Sequence, residues 1–341
     1  MYAAAATLCT VPAVSLARQA ARALETGRWD GPFARAVASV LGPIAARGLT
    51  RPAIVPQEIG LVCVGGATLG GSGKTRVAVA CARELASLGA RVALVGHAYR
   101  AAPGRPRIVS ADDALEDVGD EALVCARALA SANVPVVIGE TRQAAIDRAT
   151  ELSPDVIVLD GPLGIRGPAR SRALSLLAVD ANRPWGSGRL PPAGDLRAPR
   201  EVLLAQADHV IPVDATPARV RWPAGPLPIG SLRGARLGLF TALARPDRLV
   251  RALAALGVRP AEIVSIRDHG PLAAARSRLS DPAIEAWIAT EKCALHLAAV
   301  SLGPPLGTLE ADLDLAPGVR RALAQTSLVG RECGTRLHGA P

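Results

Sequence analysis

A glycine-rich segment near residue 70 holds the residues best suited to chemistry. It reads VCVGGATLGGSGKT over residues 62–75 and contains Gly70, Gly71, Ser72, Gly73, Lys74 and Thr75. In such a loop the backbone N–H groups surround phosphates, the lysine reaches the β- and γ-oxygens, and the hydroxyl binds Mg²⁺. The segment therefore predicts a nucleotide-binding site. Thr68 stands where the usual G-x-x-x-x-G-K-[ST] pattern has glycine, so the loop is either damaged or of a different kind.

Strands and helices alternate on both sides of this loop. IGLVCV (59–64) predicts a buried strand, and Val77, Cys81 and Leu85 predict a helix after Lys74. Further strands are predicted at RVALVG, VPVVIGE, DVIVLD, ALSLLAVD and HVIPVD, with helices at GDEALVCARALASAN and TRQAAIDRATEL. This order is typical of an α/β fold, here a P-loop NTPase-like parallel sheet covered by helices on both faces. Asp160 ends DVIVLD, where an acidic residue helps to hold Mg²⁺.

The chain is long enough for more than one domain. We expect an N-terminal helical segment over 1–50, a P-loop domain over 51–225 and a smaller C-terminal α/β domain over 226–341. The proline-rich stretch RWPAGPLPIGS (221–231) is typical of a hinge or linker. Beyond it, ARLGLFTAL, a helix from about Asp247 to Leu256, EIVSIRD and CALHLAAV indicate the second α/β unit.

Composition narrows the class of protein. The formal net charge is +9, yet the chain has four Trp, two Tyr and two Phe and no recognised nucleic-acid module, so we expect no nucleic-acid partner. Six cysteines show no zinc spacing, which favours a reduced, cytoplasmic protein. No apolar run is long enough to span a bilayer. Arginines in the first 50 residues fit either a helix at an anionic membrane interface or a helix packed on the domain surface.

Five further segments follow the loop in a recognisable order. They are VGDEALV (118–124), PDVIVLDGPLG (154–164), VDANRPWGSGRLPPAGDLRAP (179–199), RDHG (267–270) and TEKCAL (290–295). Together with the loop, which follows V-G-N-x-T-x-G-G-[ST]-G-K-T closely, they resemble the motifs of the tetraacyldisaccharide 4′-kinase family. The resemblance spans residues 60–295. It makes Thr68 a family variant rather than a sign of damage.

The resemblance implies a reaction and a place in the cell. It implies transfer of the γ-phosphate of ATP, with Mg²⁺, to the 4′-hydroxyl of a tetraacylated disaccharide 1-phosphate, which gives lipid IVA in lipid A biosynthesis. It also implies an active site between two α/β domains, and peripheral attachment to the anionic cytoplasmic face of the inner membrane in a Gram-negative bacterium. The partners are then the lipid-linked disaccharide and that membrane, with no obligate protein partner inferred.

Individual roles follow from the same resemblance. Asp120 and His269 match the paired residues that accept the proton of the sugar hydroxyl. Arg197 matches the arginine that contacts phosphate on the nucleotide or the substrate, where a planar guanidinium suits paired oxygens. Thr68, the glycines, Ser72, Lys74 and Thr75 bind the nucleotide, and Thr75 with Asp160 holds the metal.

The chain also departs from the family pattern. Where the pattern has D-D-G-x-Q, only Asp160 remains of the two acids. Ala198 replaces a glutamate, Cys293 an aspartate and His97 an arginine. These losses leave an alternative open, namely a catalytically degenerate relative that binds nucleotide as a membrane-attached regulatory or scaffold protein. A GTPase or metallochaperone is a weaker alternative, because no N-K-x-D motif and no Cys/His cluster is present.

Overall fold

The computed structural model describes residues 16–96, 104–243, 246–266, 275–297, 300 and 302–337. The chain divides into two compact units. The larger comprises residues 23–214 and 313–341, and the smaller comprises residues 1–22 and 215–312.

The larger unit contains two β-sheets in its described residues. The strands are β1 (Thr50–Pro52), β2 (Gly60–Gly66), β3 (Val92–Val95), β4 (Arg107–Val109), β5 (Val136–Ile138), β6 (Val156–Gly161), β7 (Gly164–Arg166), β8 (Ala173–Asp180) and β9 (His209–Val213). In the described chain, seven of them form one sheet in the order β4-β5-β3-β6-β2-β8-β9, while β1 pairs with β7. Every pairing in the large sheet is parallel except the edge pair β4–β5. The predicted parallel sheet is confirmed.

Helices precede and connect these strands. They are α1 (Leu16–Thr26), α2 (Pro32–Arg47), α3 (Lys74–Ser87), α4 (Leu115–Val118), α5 (Asp120–Leu129), α6 (Arg142–Thr150) and α7 (Arg200–Gln206), with 3₁₀ turns at Ala130–Ala132 and Pro168–Arg172. Thr141 is the N-cap of α6, because its hydroxyl accepts a hydrogen bond from the amide of Ala144.

The smaller unit has its own sheet and helices. Its elements are β10 (Arg219–Trp222), β11 (Gly225–Pro228), a 3₁₀ turn (Ile229–Leu232), β12 (Leu237–Thr241), α8 (Pro246–Ala255), β13 (Glu262–Ser265), α9 (Arg276–Leu279), β14 (Ala286–Thr290), α10 (Glu291–Leu295) and β15 (Leu306–Glu310). The strand order is β11-β10-β15-β14-β12-β13. The second α/β unit is thus confirmed, and CALHLAAV begins inside α10, directly after strand β14.

The proline-rich stretch 221–231 is not a linker. It forms the β10–β11 hairpin, in which Val220 pairs with Leu227 and Arg221 with Pro226. Prolines are tolerated there because β11 is an edge strand, and among the described strands none bonds to its outer N–H groups. The expected boundary at 225/226 falls at the start of strand β11, whereas the compact units change at Asp214/Ala215.

The last helix, α11 (Pro317–Leu337), belongs to the larger unit although the sequence grouped it with the smaller one. It packs against β2 and α3, and Gly60 at the start of β2 lies against Thr326. On the other face of β2, Leu61 and Cys63 pack with Ile146 of α6. Helices therefore cover both faces of the large sheet. Within the described residues no helix has the length and apolar character needed to cross a bilayer.

Candidate active site

Sheet register places the glycine-rich loop beside an acidic residue. Strands β2 and β6 run parallel, and Val64 pairs with Asp160. Parallel strands end at the same edge of a sheet, which is where ligands bind in open α/β folds. The loop that follows β2 and the aspartate that ends β6 are neighbours for this reason.

The loop is shaped by close backbone contacts. Gly73 has a φ of +78°, and a Cβ there would lie 2.6 Å from Val213 Cγ1, so a side chain is excluded at this position. The Thr68 hydroxyl, which is buried, donates a hydrogen bond of 2.7 Å to the carbonyl of Gly70. Thr68 thus closes the loop on itself, which gives the departure from the usual glycine a structural purpose.

Lys74 and Thr75, the first residues of α3, face the end of β6. Thr75 Oγ1 donates to Asp160 Oδ2 at 2.7 Å, and Lys74 Nζ lies 3.7 Å from Asp160 Oδ1. Lys74 Nζ also lies 3.8 Å from Glu121 Oε2. Asp160 is buried, and its Oδ1 accepts no hydrogen bond from the described residues. The three residues predicted for phosphate and metal are thus together.

The start of α5 brings two more carboxylates to this edge. Asp120 is the first residue of α5 and is fully buried, and Glu121 follows it with its side chain toward Lys74. His269, the predicted partner of Asp120, lies outside the described residues. Sequence reasoning missed Glu121, although it adjoins Asp120 in the motif VGDEALV.

Two partly buried arginines complete the cluster. Arg197 Nε donates to the carbonyl of Thr68 at 2.8 Å, and Arg142 Nη1 donates to the backbone carbonyl of Asp160 at 3.0 Å. Burial lowers the pKa of both guanidinium groups from its ordinary value, and the negative charge of Asp160 opposes that lowering. Both stay protonated at physiological pH. Arg197, which the family resemblance assigned to phosphate, lies beside the loop, whereas Arg142 carries no motif that could have identified it.

Comparison with known proteins identifies the family of this chain. The family model for tetraacyldisaccharide-1-P 4′-kinase, LpxK, matches residues 43–327. The chain belongs to this kinase family.

Individual relatives agree along most of their length. A tetraacyldisaccharide 4′-kinase of Nitrobacter winogradskyi is 34% identical over 252 residues, which are 69% of this chain and 72% of the relative. One from Anaeromyxobacter dehalogenans strain 2CP-1 is 34% identical over 308 residues, 79% of each chain. One from Rhodopseudomonas palustris is 30% identical over 343 residues, 92% of this chain and 94% of the relative.

A solved structure has the same fold. LpxK from Aquifex aeolicus, crystallised in complex with ATP, aligns with a TM-score of 0.61 at 21% identity and covers 86% of this chain and 97% of its own. The α/β architecture inferred from the alternation of strands and helices is therefore that of the kinase family.

Two of the residues that depart from the kinase pattern are buried in the core. Ala198, in place of glutamate, is fully buried. Cys293, in place of aspartate, is buried in the smaller unit, where its Sγ accepts a hydrogen bond from the amide of Ala242 at 3.2 Å. Lys292, the second lysine of the chain, lies beside it in α10. His97 lies outside the described residues. In the described part of the chain, no cluster of three or more His, Cys, Asp or Glu side chains could hold a metal by itself.

Proposed function

We propose that this chain transfers the γ-phosphate of ATP to the 4′-hydroxyl of tetraacyldisaccharide 1-phosphate and so forms lipid IVA in lipid A biosynthesis. One observation carries the proposal. In a member of the 4′-kinase family, Lys74 and Thr75 of a glycine-rich loop face the buried carboxylate of Asp160 at the ligand-binding edge of a parallel sheet. Nothing in the described site favours the non-catalytic scaffold.

Positioning and charge neutralisation supply most of the catalysis in phosphoryl transfer. The amides from Gly70 to Gly73 open onto the N-terminus of α3, where the helix dipole favours phosphate oxygens. Lys74 then neutralises charge on the β- and γ-phosphates. Arg197, held at the Thr68 carbonyl, presents its remaining N–H groups to phosphate.

The residues present suit Mg²⁺. This ion prefers oxygen ligands and is usually held by one or two carboxylates together with phosphates and water. Thr75 Oγ1 and Asp160 provide such oxygens, and the buried Asp160 Oδ1 accepts no hydrogen bond from the described residues. Thr75 and Asp160 would hold Mg²⁺, which when bound would neutralise charge on the transferred phosphoryl group. Glu121 lies close enough to Lys74 to hold its ammonium toward the same point.

Proton removal from the sugar hydroxyl is assigned to Asp120 and His269. This part of the proposal rests on the family pattern, since those residues match its paired acid and base. Asp120 occupies a buried place at the start of α5 beside Glu121, which suits a carboxylate that orients a neighbouring group. A general base contributes about 10²–10⁴-fold in rate. Its removal is therefore expected to lower turnover by a factor in that range.

An apolar recess beside the loop supports a lipid acceptor. A cavity of about 350 Å³ lies between α2 and the loop and is lined by Leu41, Ile44, Leu69, Leu190, Arg51 and Arg197. Aliphatic walls with two guanidinium groups match a molecule that carries acyl chains and a phosphate.

The outer side of α2 supports attachment to the cytoplasmic face of the inner membrane. Phe33, Val40 and Ile44 are 82%, 71% and 62% exposed, and Arg28, which precedes α2, and Arg47, in its last turn, are exposed as well. Apolar side chains flanked by arginines are the pattern of a helix that rests in an anionic lipid interface. Co-sedimentation with phosphatidylglycerol vesicles tests this, with Phe33→Asp and Ile44→Asp expected to release the protein and Arg83→Ala on α3 as control.

The decisive experiment is phosphotransfer from labelled ATP to tetraacyldisaccharide 1-phosphate in detergent with Mg²⁺. Wild type is expected to phosphorylate the acceptor, and Lys74→Ala and His269→Ala to lose most of that activity. ATP bound without transfer to this acceptor would overturn the proposal. GTP consumed in preference to ATP would do the same.

A further inference from the structure

The segment 186–197 beside the nucleotide loop contains a buried carboxylate with no assigned role. Asp195 is 1% exposed. Burial of a carboxylate is unfavourable unless hydrogen-bond donors surround it. Its location therefore calls for an explanation in terms of what it holds in place.

Asp195 is joined to Ser187 by a reciprocal set of hydrogen bonds. Asp195 Oδ1 accepts from the Ser187 amide at 2.8 Å and from the Ser187 hydroxyl at 2.9 Å. The same hydroxyl accepts from the Asp195 amide at 3.0 Å. The backbone is built around this contact, because a Cβ on Gly186 would lie 2.3 Å from Asp195 Oδ1. Hydrogen bonds to a carboxylate are stronger than those between neutral groups.

The backbone of the same residues forms the support of the nucleotide loop. The amide of Leu69 donates to the carbonyl of Asp195 at 2.8 Å, and the amide of Arg197 donates to the carbonyl of Ala67 at 2.8 Å. Between them Thr68 and Leu196 form an antiparallel bridge. Residues 195–197 are thus paired with residues 67–69, the segment that connects β2 to the glycines of the loop.

We propose that Asp195, fixed by Ser187, is a positioning residue for the nucleotide site: it holds residues 195–197 against the loop, so that Thr68 and Arg197 keep the places that phosphate requires. The inference rests on the proposed ATP site and deepens it. Asp195 acts through these neighbours and contacts no reacting atom. A misplacement of about 1 Å in groups that position a substrate can lower a rate about 10²-fold, so loosening this support is expected to weaken the hold on phosphate as well.

The test measures the Kd for Mg·ATP, by calorimetry without acceptor, beside the melting temperature. Asp195→Ala is expected to raise the Kd on the order of tenfold, because the loop loses its support. Asp195→Asn keeps the oxygen that accepts from Ser187, so its Kd is expected within about threefold of wild type. Asp155→Ala is the matched control. Asp155 is also buried and hydrogen-bonded, but it precedes β6, at the end of that strand away from Asp160 and the nucleotide loop. It is expected to lower the melting temperature and leave the Kd unchanged.

A purely structural role predicts a different result. Asp195→Ala would then melt earlier, as Asp155→Ala does, and bind Mg·ATP like wild type, which would overturn the inference. If Asp195→Ala does not fold, Ser187→Ala decides the matter, because it removes the hydroxyl and keeps the carboxylate: a raised Kd supports the inference and an unchanged Kd overturns it. Wild type that binds ATP but does not phosphorylate the disaccharide overturns the proposed function alone. Wild type that binds no ATP overturns both.

Discussion

Strand β6 has a buried aspartate at each end, and the two carboxylates have different surroundings. Asp155, just before the strand, accepts hydrogen bonds from Arg91 through its amide at 2.8 Å, Nε at 3.2 Å and Nη2 at 2.8 Å. Asp160, near the other end, accepts one from Thr75 at 2.7 Å and has Lys74 at 3.7 Å. One arginine engages both oxygens of Asp155, whereas Asp160 keeps an oxygen that can bind a ligand.

The difference follows from strand direction. The amino ends of parallel strands meet at one edge, where Arg91 donates hydrogen bonds to Asp155, and this interaction raises the pKa of Arg91. The carboxyl ends meet at the other edge, where loop, helix N-terminus and acid converge. A buried acid therefore indicates function only when its own fold leaves it capacity to bind something else.

The largest effect is expected from Lys74→Ala. The change removes the ammonium that lies 3.7 Å from the Asp160 carboxylate, which is also the group proposed to neutralise the β- and γ-phosphates. Turnover is expected to fall by at least about 10²–10³-fold, the usual loss when one group that stabilises the transition state is removed. The circular dichroism spectrum should match wild type. The control is Arg83→Ala, which removes a cation about 13 Å further along α3 and should keep wild-type turnover. Equal activity in the two variants would contradict the proposed role of the loop.

Asp160→Asn should have the next largest effect. The amide keeps the shape of the side chain and its contact with Thr75, but it loses the negative charge that attracts Mg²⁺. Turnover is expected to fall about 10²-fold, with a higher Mg²⁺ concentration needed for half-maximal rate. A Mg²⁺ titration of the initial rate measures both quantities. An unchanged Mg²⁺ dependence would show that Asp160 is as structural as Asp155.

Asp155→Ala should produce the reverse pattern. Loss of the acceptors for Arg91 is expected to lower the free energy of unfolding by about 1–3 kcal/mol, since hydrogen bonds to a charged group are removed. The melting temperature should fall by about 2–4 °C for each kcal/mol. Turnover below the melting transition should stay at the wild-type level, measured at the temperature used for Asp160→Asn. Lost activity in a folded Asp155→Ala protein would break the comparison between the two ends of the strand.

The sequence predicted which residues meet at this edge of the sheet because its signals there are local. The run IGLVCV, the glycines before Lys74 and the acid that ends DVIVLD each lie in one short segment, and parallel strands bring such segments together. The contact between Thr75 and Asp160 follows from that order alone. The register in which Val64 meets Asp160 is consistent with it.

Other site residues could not be predicted because their signal is non-local. Arg142 reaches the backbone of Asp160 from α6, and nothing in TRQAAIDRATEL distinguishes it from a solvated arginine. Asp195 and Ser187 meet through a loop whose path no periodicity describes. The proline-rich stretch misled for the opposite reason, since proline marks edge strands as well as linkers. The last helix packs on the first strand of the sheet, a long-range pairing that no local pattern records.

The smallest effect is expected on the alkylation rate of Cys63, which lies at the middle of the sheet, between the two ends of β6. Cys63 of β2 pairs with Leu159, and burial raises the pKa of Cys63, and of Cys81 in α3, to about 12. Because the raised pKa keeps the proton on sulfur, only about 10⁻⁴ of each thiol is thiolate at pH 8, and raising the pH from 7 to 9 still leaves the native thiols protonated. Iodoacetamide pulses followed by mass spectrometry should therefore label both only when the chain unfolds.

Labelling of Cys63 should speed up in Asp155→Ala, about tenfold for each 1.4 kcal/mol of lost stability, and stay unchanged in Asp160→Asn. Equal rates in both variants would mean that the two aspartates stabilise the sheet alike, and the distinction between a structural and a functional end would fail.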